Sequence, residues 1–389
     1  QRMPIALKRG VAAAVHELYD EFALLKYDSR DAPVRFGDVV ELVNPRYHNR
    51  SHGTWRDTLY RYAIERRHDR GNEIPPELAM IRANAELRAR AAADPAVLLS
   101  AEALRAAGMT WEDVLSLAGA SPVSARLPKG DLWSALIPSM GYFALLRNLR
   151  NLDEAGVPDE VAEQVAARLA DPAQVARSRL FPMRFLAAYQ AAPSLRWAYP
   201  LERALQASLG NVPRLDGRTL VLVDRSGSMF GRVSEKSQLT NADAAAIFGT
   251  VLAQRSERAD LAQFGTGSQR VRFAAGESVL TVIKRFGTLG GTNTAEAIRR
   301  RYRRGYHTRV VLVTDEQASW RAGADPLLAV PPDIPVYTWN LAGYHFGHGQ
   351  SGLGRRHTFG GLTDKAFRLI PLLEAGQDAR WDDLFSQAA

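Results

Sequence analysis

The 389-residue sequence is 46% hydrophobic and 24% charged and has no cysteine. These figures exclude wholesale disorder, a disulfide framework, a thiol nucleophile and a Cys-ligated zinc site. Net charge is +8, with 44 Arg against 6 Lys, which favours polyanionic partners.

The first half reads as helical. Ile5–Tyr27, Asp57–Arg70, Glu77–Ala93, Met140–Asn151, Asp159–Ala170 and Pro182–Ala192 carry apolar residues at helical spacing between Pro- or Gly-marked breaks. Successive helix pairs of this kind predict an α-repeat array. Near residues 208–216 the pattern changes to short apolar runs, Thr219–Asp224, Asp260–Phe264, Arg270–Phe273, Arg309–Thr314 and Pro335–Leu341. Helical stretches at Ala242–Arg255, Glu277–Phe286, Thr294–Arg304 and Asp364–Leu373 separate them, which predicts a doubly wound α/β domain. No apolar run approaches the ~18–20 residues that span a bilayer, so the expectation is a cytoplasmic chain with no membrane partner.

The first α/β strand ends in Asp224-Arg225-Ser226-Gly227-Ser228, a D-x-S-x-S pattern where open α/β sheets form ligand sites. Alone, this segment fits a capping turn equally well. Two more elements fall where a metal needs them: Thr292, in a Gly-rich loop opening a helix, and Asp315, after the strand Arg309–Thr314. Hydroxyl and carboxylate oxygens are hard ligands and point to Mg²⁺ or another divalent cation such as Mn²⁺. Ser226, Ser228 and Thr292 would ligate directly, and Asp224 and Asp315 directly or through water. The set resembles the metal-ion-dependent adhesion site (MIDAS) of the von Willebrand factor A family, over about residues 216–389. That resemblance implies a mostly parallel sheet with a divalent cation at its top face.

Three segments of the helical half carry a second resemblance. They are Lys26-Tyr27-Asp28-Ser29-Arg30 followed by Phe36–Leu42, then Ala144-Leu145-Leu146-Arg147-Asn148-Leu149, then Ser178-Arg179-Leu180-Phe181-Pro182. With a following type A domain, they resemble the TROVE module of Ro ribonucleoproteins. The implied architecture is a ring or partial ring of HEAT-like helical repeats over residues 1–212, followed by a von Willebrand factor A-like domain over 213–389. The chain starts well inside the usual module, so the expectation includes a ring lacking its first helices.

The family binds small noncoding Y RNAs on the outer surface and single-stranded 3′ ends of structured or misfolded RNAs through the central hole. Motif correspondence puts Lys26 and Arg30 at basic Y RNA-contacting positions. Four residues apart on one predicted helix, they would share a face and bracket phosphates. Without the resemblance they read as a solvated helix face. Asn44 stands where the family has an RNA-binding His, and Phe181 replaces a family His at a position read as structural. The loop Arg46–His52, with Arg46, His48 and Arg50, mixes residue types suited to unpaired RNA.

His345 and His348 lack a third ligand at recognisable spacing and read as a loop. No nucleophile–base order, Walker loop or paired-carboxylate signature occurs, so the expectation is not an enzyme but an adaptor. It would hold Y-like RNA and tailed, structured RNAs in quality control or maturation beside an exoribonuclease. The alternative is a metal-dependent protein-binding scaffold without RNA function.

Overall fold

A computed structural model describes residues 3–45, 55–70, 73–120, 127–192, 194–233, 239–315, 325–341, 354–361 and 366–375. It divides into two compact units, Gln1–Gly141 with Asn151–Val161, and Tyr142–Arg150 with Ala162–Ala389.

The first unit is helical: α1 (Ile5–Leu18), α2 (Glu21–Tyr27), α3 (Phe36–Val43), α4 (Trp55–Arg67), α5 (Ala79–Ala93), α6 (Ala101–Ala106), α7 (Trp111–Gly119) and α8 (Lys129–Leu136). The predicted Ile5–Tyr27 helix is two helices. Asp20 breaks it by turning extended and accepting the Ala23 N–H at 2.8 Å, which caps α2. Apolar faces of the first five helices meet around Leu24, Phe36, Val40, Leu59 and Ile81. Gly37 permits the close approach of α3 to α4, since a Cβ there would lie 2.7 Å from the Ala63 carbonyl oxygen. Beside it, the buried Asp28 carboxylate accepts from Arg35 Nη2 at 2.9 Å and from the Phe36 N–H at 2.7 Å.

Two helices have residues in both units, α9 (Tyr142–Glu154) and α10 (Asp159–Ala170). The second unit continues through α11 (Pro172–Ser178), α12 (Pro182–Ala191) and α13 (Ala198–Ser208). Then come β1 (Leu215–Asp224), α14 (Asn241–Arg255), β2 (Ser256–Phe264), β3 (Ser268–Arg270), α15 (Val279–Ile283), α16 (Thr294–Arg301), β4 (Arg309–Thr314), β5 (Val336–Asn340), β6 (Arg356–Gly360) and α17 (Ala366–Glu374). The change from helices to alternating strands and helices therefore falls between Ser208 and Leu215. Packing continues across it: α12 lies against α14, and Arg255 Nε donates to the Val212 carbonyl at 2.7 Å.

The sheet order is β3-β2-β1-β4-β5-β6, parallel except for the short β3 edge. Such an order places helices on both faces, which is why the central strands are apolar on both sides. Leu220 and Leu222 pack with Ala297 and Ile298 of α16 on one face. Val221 and Val223 meet α14 on the other, where a Cβ on Gly249 would fall 2.3 Å from Val223 Cγ2. An aromatic run, Phe181 on Phe367, Phe367 on Phe248 and Phe248 on Trp339, extends this second core to the start of α12. Phe181 is thus a buried packing residue. The fold is helical repeats followed by a doubly wound von Willebrand factor A-like domain.

Candidate functional site

The sheet reverses its winding between β1 and β4, and their carboxyl ends open a crevice at that switch point. Asp224 is the last residue of β1 and is fully buried. Its Oδ1 accepts the Ser226 N–H at 2.8 Å, and its Oδ2 accepts the Thr314 hydroxyl, at the end of β4, at 2.7 Å. After Ser226 the chain turns through a short 3₁₀ segment, Gly227–Phe230, which brings Ser226 Oγ within 3.2 Å of Ser228 Oγ. Asp315 follows Thr314 and is also buried. Burial first, and then the charge of Asp315, push the Asp224 carboxyl up to about 6, against the pull of its hydrogen bonds to Ser226 and Thr314.

Thr292 reaches the same end of the sheet on the loop before α16, which main-chain bonds tie down. The Gly227 N–H donates to Gly290 O at 2.7 Å, Leu289 N–H to Arg225 O at 2.9 Å, and Asn293 N–H to Gly265 O at 2.8 Å. The loop crosses directly over Gly265, where a Cβ would lie 2.5 Å from the Leu289 carbonyl oxygen. Gly290 adopts φ +74°, a left-handed turn suited to glycine. The structure thus gathers Asp224, Ser226 and Ser228 directly, and holds Thr292 and Asp315 on the two flanking elements. Among the described residues no three His, Asp or Glu side chains converge; this site has two carboxylates and is otherwise hydroxyl.

Two residues that build the site carry no motif signal. One is Gly265. The other is Arg225, the variable position of D-x-S-x-S, whose buried side chain donates Nε to Gly287 O and Nη1 to Ala242 O, both at 2.7 Å. Phe230 and Phe286 flank its guanidinium, at 4.8 and 5.9 Å. Arg225 therefore clamps the Thr292 loop to α14, and its burial lowers its pKa.

The sequence-predicted RNA residues are placed differently. Lys26 is exposed in the last turn of α2, its Nζ 5.2 Å from the Tyr27 ring. Arg30 does not share a helix face with it. The helix stops at Tyr27 because Asp28 turns inward to Arg35 and Phe36, leaving Arg30 exposed beyond the helix and paired with Asp69 at 3.7 Å. Asn44 caps α3 in the left-handed region, φ 47°, with its N–H on Val40 O at 2.8 Å. Asn tolerates that conformation better than most residues, which gives this position a local structural role. Arg46, His48, Arg50, His345 and His348 lie outside the described residues.

A second concave surface lies in the unit that holds the sheet. Helices α9 and α12 enclose a groove of about 520 Å³ with Phe143, Leu146, Arg147, Arg150 and Arg184 in its walls. Phe143 is 39% exposed, and the Arg147 and Arg184 guanidinium carbons lie 5.6 and 5.8 Å from its ring centroid. Among the described residues neither arginine has an acidic partner. No helix is long and apolar enough to cross a membrane among the residues described.

Residues 105–216 match the TROVE domain family. An 88-residue stretch, 22% of the chain, is 38% identical to telomerase protein component 1 of Mus musculus and spans 3% of that protein's length. The crystal structure of the Ro (Rsr) protein of Deinococcus radiodurans superposes with a TM-score of 0.68 at 20% identity, covering 95% of this chain and 76% of that one. Residues 105–216 are thus similar to the TROVE domain family, and the chain shares the fold of that Ro protein, helical repeats followed by a von Willebrand factor A-like domain.

Proposed function

We propose that this protein is a Ro-like RNA-binding protein that holds small noncoding RNAs and single-stranded 3′ ends of structured or misfolded RNAs. It acts as an adaptor in RNA maturation or quality control, with an exoribonuclease as its partner in processing. The observation that carries the reading is the TROVE match at 105–216 within a chain of Ro fold. The groove inside that match supports it chemically. A part-exposed aromatic ring beside two cations that have no acidic partner among the described residues is suited to one unpaired base and its phosphates. Lys26, Arg30 and the Arg46–Arg50 loop are proposed as further backbone contacts.

The crevice at Asp224 fits a hard divalent cation, Mg²⁺ or Mn²⁺. The fit rests on its donors: two hydroxyls 3.2 Å apart beside a desolvated carboxylate whose oxygens, among the described residues, bond only the Ser226 N–H and the Thr314 hydroxyl. Ser226, Ser228 and Thr292 would hold the ion, with Asp224 and Asp315 bound directly or through water. When bound, it would supply a positive charge with a coordination position for a carboxylate or phosphate oxygen. Arg225 and Gly265 do the positioning.

The test is fluorescence anisotropy with a structured RNA bearing a single-stranded 3′ tail. Wild type is compared with Arg147→Ala/Arg184→Ala and with Lys26→Ala/Arg30→Ala. Loss of about tenfold or more in the first double variant is expected, since each cation contacts phosphate or stacks on a base. If wild type ignores RNA but binds acidic protein ligands with Mg²⁺, the chain is a metal-dependent scaffold instead.

A further inference from the structure

The positive excess of the sequence lies in its second half, which has 23 basic and 17 acidic residues after position 212, against 27 and 25 before it. Part of this excess gathers at one place, toward the amino-terminal ends of β2 and β4 and away from Asp224. There, α16 ends in Arg299-Arg300-Arg301 and the chain continues through Arg303 to His307. Arg270, Arg300, Arg301 and Arg303 line a cavity of about 80 Å³ together with Asp260 and His307.

Among the described residues Asp260 is the only acid in the cavity wall, and its acceptor capacity is used. Its Oδ2 accepts from Arg218 Nη1 and His307 Nε2, each at 3.1 Å, and Arg270 bonds its Oδ1. His307 adds no positive charge. Its Nδ1 accepts the Arg303 backbone N–H at 3.0 Å, which assigns the neutral tautomer with the proton on Nε2. Glu296 takes up Arg300, and Ser268 takes up Arg301 through its hydroxyl and its carbonyl. The Arg303 guanidinium has no hydrogen-bond or ion-pair partner among the described residues, and its carbon lies 5.6 Å from the Tyr306 ring centroid. Like charges crowd here. After burial, Arg270 and Arg300 lower the Arg301 pKa, and Arg218 and Arg303 lower that of His307.

We propose that this cavity binds one phosphate group, either inorganic phosphate or a phosphodiester of an RNA strand. Guanidinium groups enter from β3, α16 and the segment after it, with donors left over beyond their bonds to Asp260, Glu296 and Ser268, and a multiply charged anion balances cations that Asp260 leaves unmatched. The inorganic-phosphate form does not depend on the RNA reading above.

The experiment uses the full chain as wild type, Arg300→Ala/Arg303→Ala, and Arg82→Ala as an exposed control on α5. Calorimetric titration with inorganic phosphate at constant ionic strength is run beside anisotropy of labelled decauridylate over a salt series. Circular dichroism melting checks that each variant folds. Saturable phosphate binding that falls at least tenfold in the double variant alone supports a free-phosphate site. No phosphate binding, with a decauridylate salt slope about one unit shallower in the double variant alone, supports a phosphodiester site. The proposal is overturned if the double variant changes neither ligand, or if Arg82→Ala changes them equally.

Discussion

Asp224→Asn separates two effects that act on one buried carboxylate. The side chain is fully buried, and this burial pushes its carboxyl up to about 6, away from the screening of solvent. At about 1.4 kcal/mol per unit, ionised Asp224 disfavours the cation-free fold by about 3 kcal/mol above pH 7. The sign follows from proton binding. Between pH 3.8 and 6 the folded chain binds the proton more tightly than the unfolded chain, so this group's destabilisation grows as pH rises through that window. Burial lowers the pKa of His307 and His357, which act with the opposite sign below pH 6.5, so the comparison must be between variants rather than across pH alone. Asn retains an acceptor for the Ser226 N–H and can donate to the Thr314 hydroxyl. In chelator at pH 7.5, Asp224→Asn should therefore stabilise the chain against urea by about 2–3 kcal/mol, a gain that shrinks as pH falls toward 4. With millimolar Mg²⁺ the order should reverse, because only wild type gains binding free energy. A variant less stable than wild type in chelator at pH 7.5 would refute the desolvation argument.

Three further outcomes follow from the packing. Gly265→Ala forces a Cβ into the Leu289 carbonyl and should weaken Mg²⁺ binding about tenfold by calorimetry; an unchanged affinity would show that β2 does not position the Thr292 loop. Arg35→Ala removes the nearer of two cations beside the buried Asp28 carboxylate, leaving Arg66 at 3.9 Å, and should cost about 2–3 kcal/mol in urea unfolding, with Asp28→Asn/Arg35→Met recovering most of it. A loss under about 1 kcal/mol would mean that Asp28 is solvated. Phe143→Ala should cost about 1 kcal/mol of stability, leaving the chain folded, yet weaken binding of unpaired RNA by about 1–3 kcal/mol, read by melting and anisotropy together.

Much of the second unit is legible in sequence because its strands are buried on both faces. Arg309–Thr314 is a strand with those ends, six buried residues in a row. The β6 strand escapes the same reading because Arg356-His357-Thr358-Phe359 is a half-exposed edge without an apolar run. Periodicity alone merged α1 with α2, since the capping bond of Asp20 leaves the apolar spacing undisturbed. Similarly, the spacing of Lys26 and Arg30 conceals the inward turn of Asp28, whose partners Arg35 and Phe36 lie seven and eight residues later. The residues proposed to hold a cation stand out by type, at strand ends or just before α16. Gly265 and Arg225 do not, because their roles are contacts with Leu289 and Gly287, distant in the chain. The same holds for Phe143, whose arginine neighbours come from two helices.

Equilibrium binding of wild type to a structured RNA with a single-stranded 3′ tail, against the same RNA made blunt, tests the central claim most directly. Measured at 50 and 200 mM salt, the tailed RNA should bind more tightly and lose affinity steeply as salt rises, since contacts to several phosphates release counterions. Equal binding of the two RNAs, or none at physiological salt, would contradict the RNA-holding function.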